Sequence, residues 1–436
     1  MLKTQLLTSL LLSLFIRGWA QPAIIVTEVN YNSENSINAN DWFELHNPDT
    51  TALNIGNWIV KDMRDTNIFN IPAATIIPAG GYLVLARDTD AFRAIHPSVN
   101  NVMGNLGFSM GNSGDMIRIW NAQNQLVQQM AYIDSLAWPR GADGWGRTLE
   151  LLNYNGNLSD GTNWFDGCIG GSPGSAFSPC NYDLVFSEIN YNSSDSADAG
   201  DWVELYNISG STINLSGFIF NDEKDTLAYS IPMGTMLNPG DYLVLFGNDS
   251  LFSIEHPSVT NKIGPFTFGL SGKGEAVRLY NNQGKLIQSV VYNDKAPWPI
   301  LPDGGGYTLE LDDSSGNMND PQNWFAGCLG GSPGGPFMPS CAVAAPVIGN
   351  IHTRDINISI APNPASNTIR LTMANNPDYQ SIEIINMQGR LMLSRPILGN
   401  QSSEMSIDIT ALPAGLYQVW MKSTTTTAVA KMMIVK

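Results

Sequence analysis

The chain contains the same stretch of sequence twice. VTEVNYNS (26–33) and DWFELHN (41–47) return 160 residues later as FSEINYNS and DWVELYN, and NWFDGCIGGSPG (163–174) returns at the same offset as NWFAGCLGGSPG. A period of this length is too long for a solenoid repeat and fits a whole domain. We therefore predict two tandem modules, residues 21–180 and 181–341. Two copies of one module favour binding or scaffolding over catalysis.

The N-terminus has the pattern of a secretory signal peptide over residues 1–20. Lys3 precedes an apolar run from Leu6 to Ile16, and small residues end at Ala20, which predicts cleavage before Gln21. An uncleaved anchor is the alternative, but the run is shorter than the roughly 20 residues that a membrane span needs. No other segment approaches that length. We expect an exported chain with no transmembrane segment.

The four cysteines fall in pairs at matching places of the two modules. Cys168 and Cys180 end the first module, and Cys328 and Cys341 end the second. Pairs of this kind in an exported protein predict one disulfide in each module. Zinc is the alternative, but no His or third Cys accompanies either pair.

Charge is spread unevenly along the chain. Acidic residues outnumber basic ones by 15 to 7 in the first module and by 19 to 6 in the second, whereas residues 342–436 carry 5 acids and 7 bases. Modules with net charges of −8 and −13 repel phosphate backbones, so nucleic acid is not an expected partner.

Short alternating segments predict an all-β chain. In the first segment Thr27 shares a face with Ile25 and Val29, while Glu28 lies on the opposite face. Turn clusters separate the segments, and no sustained helical period is present. Many short strands in about 160 residues predict an antiparallel β-sandwich for each module. A linker (342–355) and a third, smaller sandwich (356–436) follow.

Each module resembles a lamin tail domain. The opening Thr27–Tyr31 and Ser187–Tyr191, the D-W-x-E-L-x-N segment and the closing W-F…G-S-P-G carry the resemblance, which spans both modules. It implies an immunoglobulin-like sandwich, so the chain is expected to hold three such sandwiches in succession. In exported bacterial proteins the resemblance implies adhesion or interaction modules, sometimes attached to a hydrolase.

The last residues resemble the C-terminal sorting domain of the bacterial type IX secretion system. The motifs are A-P-N-P-A-S-N (361–367), I-I-N-M-Q-G-R (384–390) and L-P-A-G-L-Y-Q-V (412–419). The resemblance implies that the secretion machinery is a partner and that the chain is secreted or anchored at the outer surface of a Gram-negative bacterium. The residues that carry these sorting motifs are Pro362, Asn363, Pro364, Gly389, Pro413, Gly415 and Tyr417.

Catalytic residues are not predicted. GGSPG (170–174 and 330–334) matches the G-x-S-x-G nucleophile elbow, but Pro173 and Pro333 lack the N–H that an oxyanion hole needs. Among the histidines only His96 and His256 recur, within HPSV segments expected to be loops. A hydrolase needs a base oriented by a third group, and the pattern offers none.

Acidic residues that recur are candidates for a weak calcium site. If the first two strands pair, their carboxylates meet and could share Ca²⁺, a hard cation that prefers oxygen ligands. The alternative is a solvated strand face or hydrogen bonds to loop amides. No other cofactor is expected. The candidates are Glu28, Asp41 and Glu44, with Glu188, Asp201 and Glu204 in the second module.

Tryptophans also recur, and they favour core packing over a surface that stacks on sugars. Taken together, the sequence predicts a non-catalytic surface protein for adhesion or scaffolding, with an extracellular glycan or protein as ligand. A secreted metal-dependent hydrolase and a passive spacer of the surface layer are the alternatives.

Overall fold

The computed structural model describes residues 24–195, 197–337, 358–362, 365–373, 381–386, 391–397, 404–413, 415–422 and 427–435. Within these ranges the regular secondary structure is almost entirely β, with two short α-helices. The predicted all-β class is confirmed. Residues 1–23, with the predicted cleavage site at Ala20 and Gln21, lie outside the described residues.

Twelve strands form the first module. A six-stranded sheet of order β12-β11-β1-β2-β7-β8 faces a four-stranded sheet of order β10-β9-β4-β5, and β3 pairs with β6. All neighbours are antiparallel except β7 and β8, which are parallel. The strands are β1 (Ile25–Asn30), β2 (Trp42–His46), β3 (Leu53–Asn54), β4 (Ile59–Lys61), β5 (Phe69–Asn70), β6 (Ile76–Ile77), β7 (Tyr82–Ala86), β8 (Val102–Gly104), β9 (Gly114–Trp120), β10 (Leu126–Ile133), β11 (Leu149–Leu151) and β12 (Trp164–Asp166).

The second module repeats this topology strand for strand. Its six-stranded sheet has the order β20-β19-β14-β13-β23-β24, its four-stranded sheet the order β17-β16-β21-β22, and β15 pairs with β18. The strands are β13 (Leu184–Asn190), β14 (Trp202–Asn207), β15 (Ile213–Asn214), β16 (Ile219–Asn221), β17 (Ala228–Ser230), β18 (Met236–Leu237), β19 (Tyr242–Phe246), β20 (Lys262–Ile263), β21 (Ala276–Tyr280), β22 (Leu286–Val291), β23 (Tyr307–Leu311) and β24 (Trp324–Leu329).

Seven strands form the tail. A three-stranded sheet of order β25-β26-β29 accompanies a four-stranded sheet of order β28-β27-β30-β31. The strands are β25 (Ile358–Ala361), β26 (Thr368–Met373), β27 (Ser381–Asn386), β28 (Leu391–Pro396), β29 (Glu404–Asp408), β30 (Gly415–Lys422) and β31 (Thr427–Ile434).

The sequence pattern does not predict the two α-helices. They are α1 (Thr89–Ile95) and α2 (Asp249–Glu255), each seven residues long, which is under two turns and too short to show a helical period. The Asp88 side chain caps α1 by accepting hydrogen bonds from two backbone N–H groups. Phe92 of α1 packs edge-on against Trp42, with ring centroids 5.6 Å apart. The helix therefore covers the outer face of the six-stranded sheet. Four 3-10 turns complete the modules: Asn35–Ile37, Arg140–Ala142, Gly161–Asn163 and Pro321–Asn323.

The first strand departs from strict alternation. Its register shifts between Val26 and Glu28, so the strand carries a β-bulge there. The prediction that Thr27 shares a face with Val29 is wrong, because the Thr27 hydroxyl donates to Glu44 at 2.8 Å. Val29 lies in the core of the sandwich. The bulge thus adds a hydroxyl donor to the outer face of the sheet, beside the acidic residues.

Cys168 and Cys180 form the disulfide that was predicted for the first module, with their Cα atoms 5.4 Å apart. Cys328 is buried, and its predicted partner Cys341 lies outside the described residues. The first disulfide closes a loop of 12 residues just after the last strand of the module.

We predict that the double variant Cys168→Ser, Cys180→Ser loses about 3 kcal/mol of unfolding free energy, because the open loop gives the unfolded chain more freedom. Denaturant unfolding followed by intrinsic fluorescence measures the change. Ser175→Ala, an exposed position in the same loop, is the control and should behave as the wild type. Unchanged stability of the double variant would contradict the prediction.

Candidate functional site

Three neighbouring strands place three carboxyl groups side by side on the outer face of the six-stranded sheet. Glu28 on β1 lies opposite Glu44 on β2 and opposite Glu150 on β11. Their exposed fractions are 1%, 2% and 3%, so water does not reach them. Acidic side chains are rarely buried without partners. This group, the carboxyl cluster, must therefore be held by the protein itself.

The GGSPG loop at residues 170–174 holds the carboxyl cluster. Ser172 donates its backbone N–H to Glu28 Oε1 at 2.9 Å and its hydroxyl to Glu150 Oε1 at 2.5 Å. The Gly174 N–H donates to Glu44 Oε2 at 2.6 Å. The Thr148 hydroxyl donates a further hydrogen bond to Glu28 at 2.7 Å. The last loop of the module is thereby fixed to its first strand.

Glycine is required inside this loop. Gly171 has a φ of +87°, and a Cβ atom there would overlap Glu28 Oε1 and approach Thr148 and Trp42. An L-residue would have to adopt a strained backbone and displace the carboxyl group. Gly171 therefore lets the backbone approach the cluster closely enough for Ser172 to donate.

Burial and mutual repulsion raise the pKa values of the carboxyl cluster. Burial, and then the charge of Glu150, raise the pKa of Glu28 well above its ordinary value. Burial raises the pKa of Glu44 to about 8 and that of Glu150 to about 7. Glu28 Oε2 is buried and receives no hydrogen bond from a donor group. Glu28 and Glu150 lie side by side, and their mutual repulsion favours a state in which one of them is protonated.

The second module repeats the cluster with Glu188, Glu204 and Glu310. Ser332 donates its N–H to Glu188 at 3.0 Å and its hydroxyl to Glu310 at 2.5 Å, and Gly334 donates its N–H to Glu204 at 2.5 Å. Burial raises the pKa of Glu204 to about 8 and that of Glu310 to about 7. The same acid–loop geometry therefore occurs in both halves of the chain.

The structure brings together only part of the predicted calcium set. Glu28 and Glu44 meet as cross-strand partners, but Asp41 contacts another loop, where Oδ2 accepts the Met110 N–H at 2.8 Å. Asp201 does the same with Leu270 at 2.7 Å. Across the described ranges, no three His, Cys, Asp or Glu side chains are grouped to hold a metal ion. Calcium binding at these residues remains a prediction.

His96 and His256 do not join the loop serine in a hydrogen-bonded triad. Each follows a helix and packs against a tryptophan, with ring centroids 5.9 Å apart in both modules. Burial lowers the pKa of His96 to about 4. A cleft beside His256 and Gly330 has a volume of about 10 Å³, and the corresponding cleft of the first module has the same volume. This volume is about the room that one water molecule needs.

A buried polar seam joins the two modules. Arg147 of the first module is 1% exposed and donates from Nη2 to Gln288 Oε1 at 3.0 Å and to the Ser289 carbonyl at 2.8 Å. The Arg147 Nη1 atom donates to the Gly167 carbonyl at 2.9 Å. One guanidinium therefore binds backbone and side-chain oxygens of both modules.

Further hydrogen bonds extend the seam on both sides of Arg147. Asn319 Nδ2 donates to Asp166 Oδ2 at 2.9 Å, and Ser289 Oγ donates to the Trp145 carbonyl at 2.7 Å. Burial raises the pKa of Asp166 to about 6, and the Arg147 charge offsets part of that rise. Asn319 and Ser289 of the second module thus pair with Asp166 and Trp145 of the first.

The family profile of the Lamin Tail Domain matches residues 19–134 and 178–294, together more than half of the chain. The chain belongs to the lamin tail domain family. The profile of the Secretion system C-terminal sorting domain matches residues 359–436. No curated protein matches the sequence.

Likeness to solved structures is low. A DUF4876 family protein from Bacteroides thetaiotaomicron has 11% identity over 69% of this chain and 96% of its own, with a TM-score of 0.23. Dimeric latent PorU from Porphyromonas gingivalis has 11% identity over 95% of this chain and 34% of its own, with a TM-score of 0.16. A biofilm associated protein BSP domain has 10% identity over 95% and 81%, with a TM-score of 0.16. These scores carry no argument about function.

The sorting domain marks the chain for secretion and for the outer surface of a Gram-negative cell, and the type IX machinery is its partner. In its described part the Val435 N–H donates to the Ala365 carbonyl at 2.8 Å, so the first motif is fixed to the last strand. The Tyr417 hydroxyl donates to the Pro413 carbonyl at 2.9 Å. Pro362 and Gly415 are exposed. Asn363, Pro364 and Gly389 lie outside the described residues. None of the described helices is long and apolar enough to span a membrane.

Sequence reasoning missed two parts of these lamin tail domains. Glu150 and Glu310 recur at the offset of 160 and follow a buried leucine in a strand, so alternation could have placed them on the acidic face. The seam residues leave a weaker signal in the sequence: some of them differ between the two copies of the repeat. Arg147, for example, is replaced by Tyr307 at the corresponding position.

The carboxyl clusters predict stability that falls as the pH rises. A folded-state pKa above the unfolded value of about 4.5 means that the folded protein binds more protons, so stability is lost as the pH passes 7 to 8. The lowered pKa of His96 acts in the opposite direction, but only below about pH 6.5. We expect the melting temperature of the wild type to fall between pH 6.5 and 9.

The double variant Glu44→Gln, Glu204→Gln should show a smaller fall over this range. In each module the amide oxygen of the new glutamine can accept a hydrogen bond from the N–H of the loop glycine. Its NH₂ group can donate to the hydroxyl of Thr27 in the first module or of Ser187 in the second. Thermal melts across the pH series measure the slope. Glu255→Gln, at an exposed position, is the matched control. A wild type as stable at pH 9 as at pH 6.5 would exclude this account.

We predict that Arg147→Ala destabilises the joined lamin tail domains by about 3 kcal/mol. The variant leaves the buried acceptors of the seam without their donor and the Asp166 carboxyl without a neighbouring cation. Calorimetry should show one unfolding transition for the wild type and two for the variant, since the seam couples the two modules. Tyr307→Ala changes the same position of the repeat outside the seam and should keep a single transition. A single, unshifted transition for Arg147→Ala would refute the coupling.

Proposed function

We propose that this protein is a non-catalytic contact protein of the outer cell surface, used in adhesion or scaffolding. Its two lamin tail domains, residues 21–180 and 181–341, would act as one rigid body. The observation that carries the proposal is the seam, in which a buried arginine binds oxygens of both modules. A polar seam of this kind holds two modules in one relative orientation.

The carboxyl clusters support a structural use of the acidic residues. Both oxygens of Glu44 accept hydrogen bonds, from Thr27 and from Gly174, and Glu150 accepts one from Ser172. Groups that hold a loop in this way are not free to move protons on a substrate. The clefts beside the two GGSPG loops hold about 10 Å³ each, against the several hundred Å³ of a typical ligand pocket. These features favour contact through the outer surface over hydrolysis.

A rigid pair of like modules suits contact with a repetitive ligand, such as a glycan or matrix protein. Two sites held at a fixed spacing bind together without a further loss of orientational freedom, so weak contacts add up. A flexible pair would lose part of this gain. The gain in binding therefore depends on the relative orientation of the two modules, which the seam holds.

Adhesion of whole cells tests the proposal. Cells that lack the gene are complemented with the wild-type chain, with Arg147→Ala, with Tyr307→Ala or with a chain that ends at residue 341. Surface amounts are measured by antibody labelling of intact cells. Wild type and Tyr307→Ala should restore adhesion to matrix proteins and polysaccharides, Arg147→Ala should restore less at equal surface amounts, and the truncated chain should not be displayed.

Equal adhesion with and without the displayed wild-type chain, over a panel of matrix proteins and polysaccharides, would contradict the contact function. It would favour the passive spacer of the surface layer instead. Hydrolysis of a panel polymer by the purified chain would favour the metal-dependent hydrolase.

A further inference from the structure

The seam joins two different faces of the same fold. The first module contributes a seat, formed by Ile37, Gly146 and Ile169, and the second contributes the end of a hairpin, formed by Tyr280 and Leu286. Leu286 lies so close to Gly146 that a Cβ atom on the glycine would overlap its side chain. A contact between unlike faces is heterologous, and it leaves one face of each partner unused.

Because the modules are repeats, the unused faces are known. The first module has its own hairpin end at Trp120 and Leu126, which pair in the same register as Tyr280 and Leu286. Leu126 is 47% exposed, whereas Leu286 is 1% exposed. The position that buries a leucine in the seam therefore presents an exposed leucine on the first module.

The second module has its own seat at Ala197, Gly306 and Leu329, the positions equivalent to Ile37, Gly146 and Ile169. Leu329 is 51% exposed. Gly306 keeps both the glycine and the positive φ, at +79°, that the seam uses at Gly146. The seat thus retains an apolar side chain, but Leu329 Cδ1 and Ser194 Oγ lie 2.9 and 3.0 Å from where a Cβ atom on Gly306 would be, so a docking leucine has to displace them.

We infer that a second copy of this chain occupies these faces, with the hairpin end of one copy packed on the seat of the next. The internal seam is the template for the contact, and the two faces lie on different modules of each chain. A heterologous contact that does not close into a ring extends into a row of copies. The inference goes beyond the proposed function, because a monomeric chain could still bind an external ligand.

The contact between copies should be weaker than the seam. At the seat of the second module Ser194, Gly305, Tyr307 and Ala326 stand where the seam has Glu34, Trp145, Arg147 and Asp166. The charged anchors are lost, but docking there also buries no arginine or aspartate that would need a partner. The contact is therefore mainly apolar, and association is reversible.

Charge makes this association depend on salt. The two modules carry net charges of −8 and −13, so copies repel each other at low ionic strength. Salt screens that repulsion and leaves the apolar contact in place. Association should strengthen as sodium chloride is raised, which is opposite to the behaviour of a contact held by ion pairs.

Sedimentation velocity of the purified full chain tests the inference, from about 1 µM to the highest soluble concentration, in 0.15 M and 0.5 M sodium chloride. The wild type should form dimers and larger species as its concentration rises, more so in the higher salt. Leu126→Arg and Leu329→Arg should each lower the association constant at least about tenfold, because each would bury an unpaired charge. Leu136→Arg and Met233→Arg, at positions 91% and 83% exposed outside both faces, are matched controls.

Mixing the two variants gives the decisive result. Leu126→Arg keeps an intact seat, and Leu329→Arg keeps an intact hairpin end. In an equimolar mixture these two faces should form a dimer, and the dimer should grow no further because its remaining hairpin end and seat both carry the arginine. Circular dichroism confirms that each variant is folded. Monomers at every concentration and salt, equal effects of the control variants, or no dimer in the mixture would each overturn the inference.

Discussion

The structure of each module depends on three acidic side chains that are buried away from solvent. β1 lies between two strands that each place a glutamate beside Glu28, and the outer face of the sheet is covered. The GGSPG loop supplies the missing donors, and the glycine at 171 lets the backbone come close enough to do so. The raised pKa values of these acids favour their protonated forms, which reduces their mutual repulsion. The module is thus closed by attaching its end to its beginning, and the disulfide between Cys168 and Cys180 encloses the attached loop.

The repeat separates what holds a module together from what holds the two modules to each other. Residues of the carboxyl cluster and its loop are the same in both copies, as are the sheet order and the short helix. The charged residues of the seam differ: Arg147 corresponds to Tyr307, and Asp166 to Ala326. The contacts that hold each module together are therefore common to both copies, whereas the charged residues that anchor the seam occur in the first copy only.

Much of the fold follows from the sequence alone because alternation and the internal repeat are strong signals. Glu28 and Glu44 could be placed on one face, and Pro173 was enough to reject a nucleophile elbow. The bulge at Thr27 breaks alternation without a sequence sign, and helix α1 is too short for periodicity. The burial of the acids depends on a loop more than 100 residues away, and the seam on a second module, so neither could be predicted from local pattern.

These contacts also order the chain from its first module to its last strand. The first carboxyl cluster is covered only when residues 170–174 are present, and the seam forms only when Gln288 and Ser289 follow. In the sorting domain the first motif is held by the last strand, through the Ala365 carbonyl and the Val435 N–H. Each step uses residues that come later in the sequence than those they complete. The described contacts of the two lamin tail domains are therefore made among their own residues, and those of the sorting domain join its first motif to its last strand.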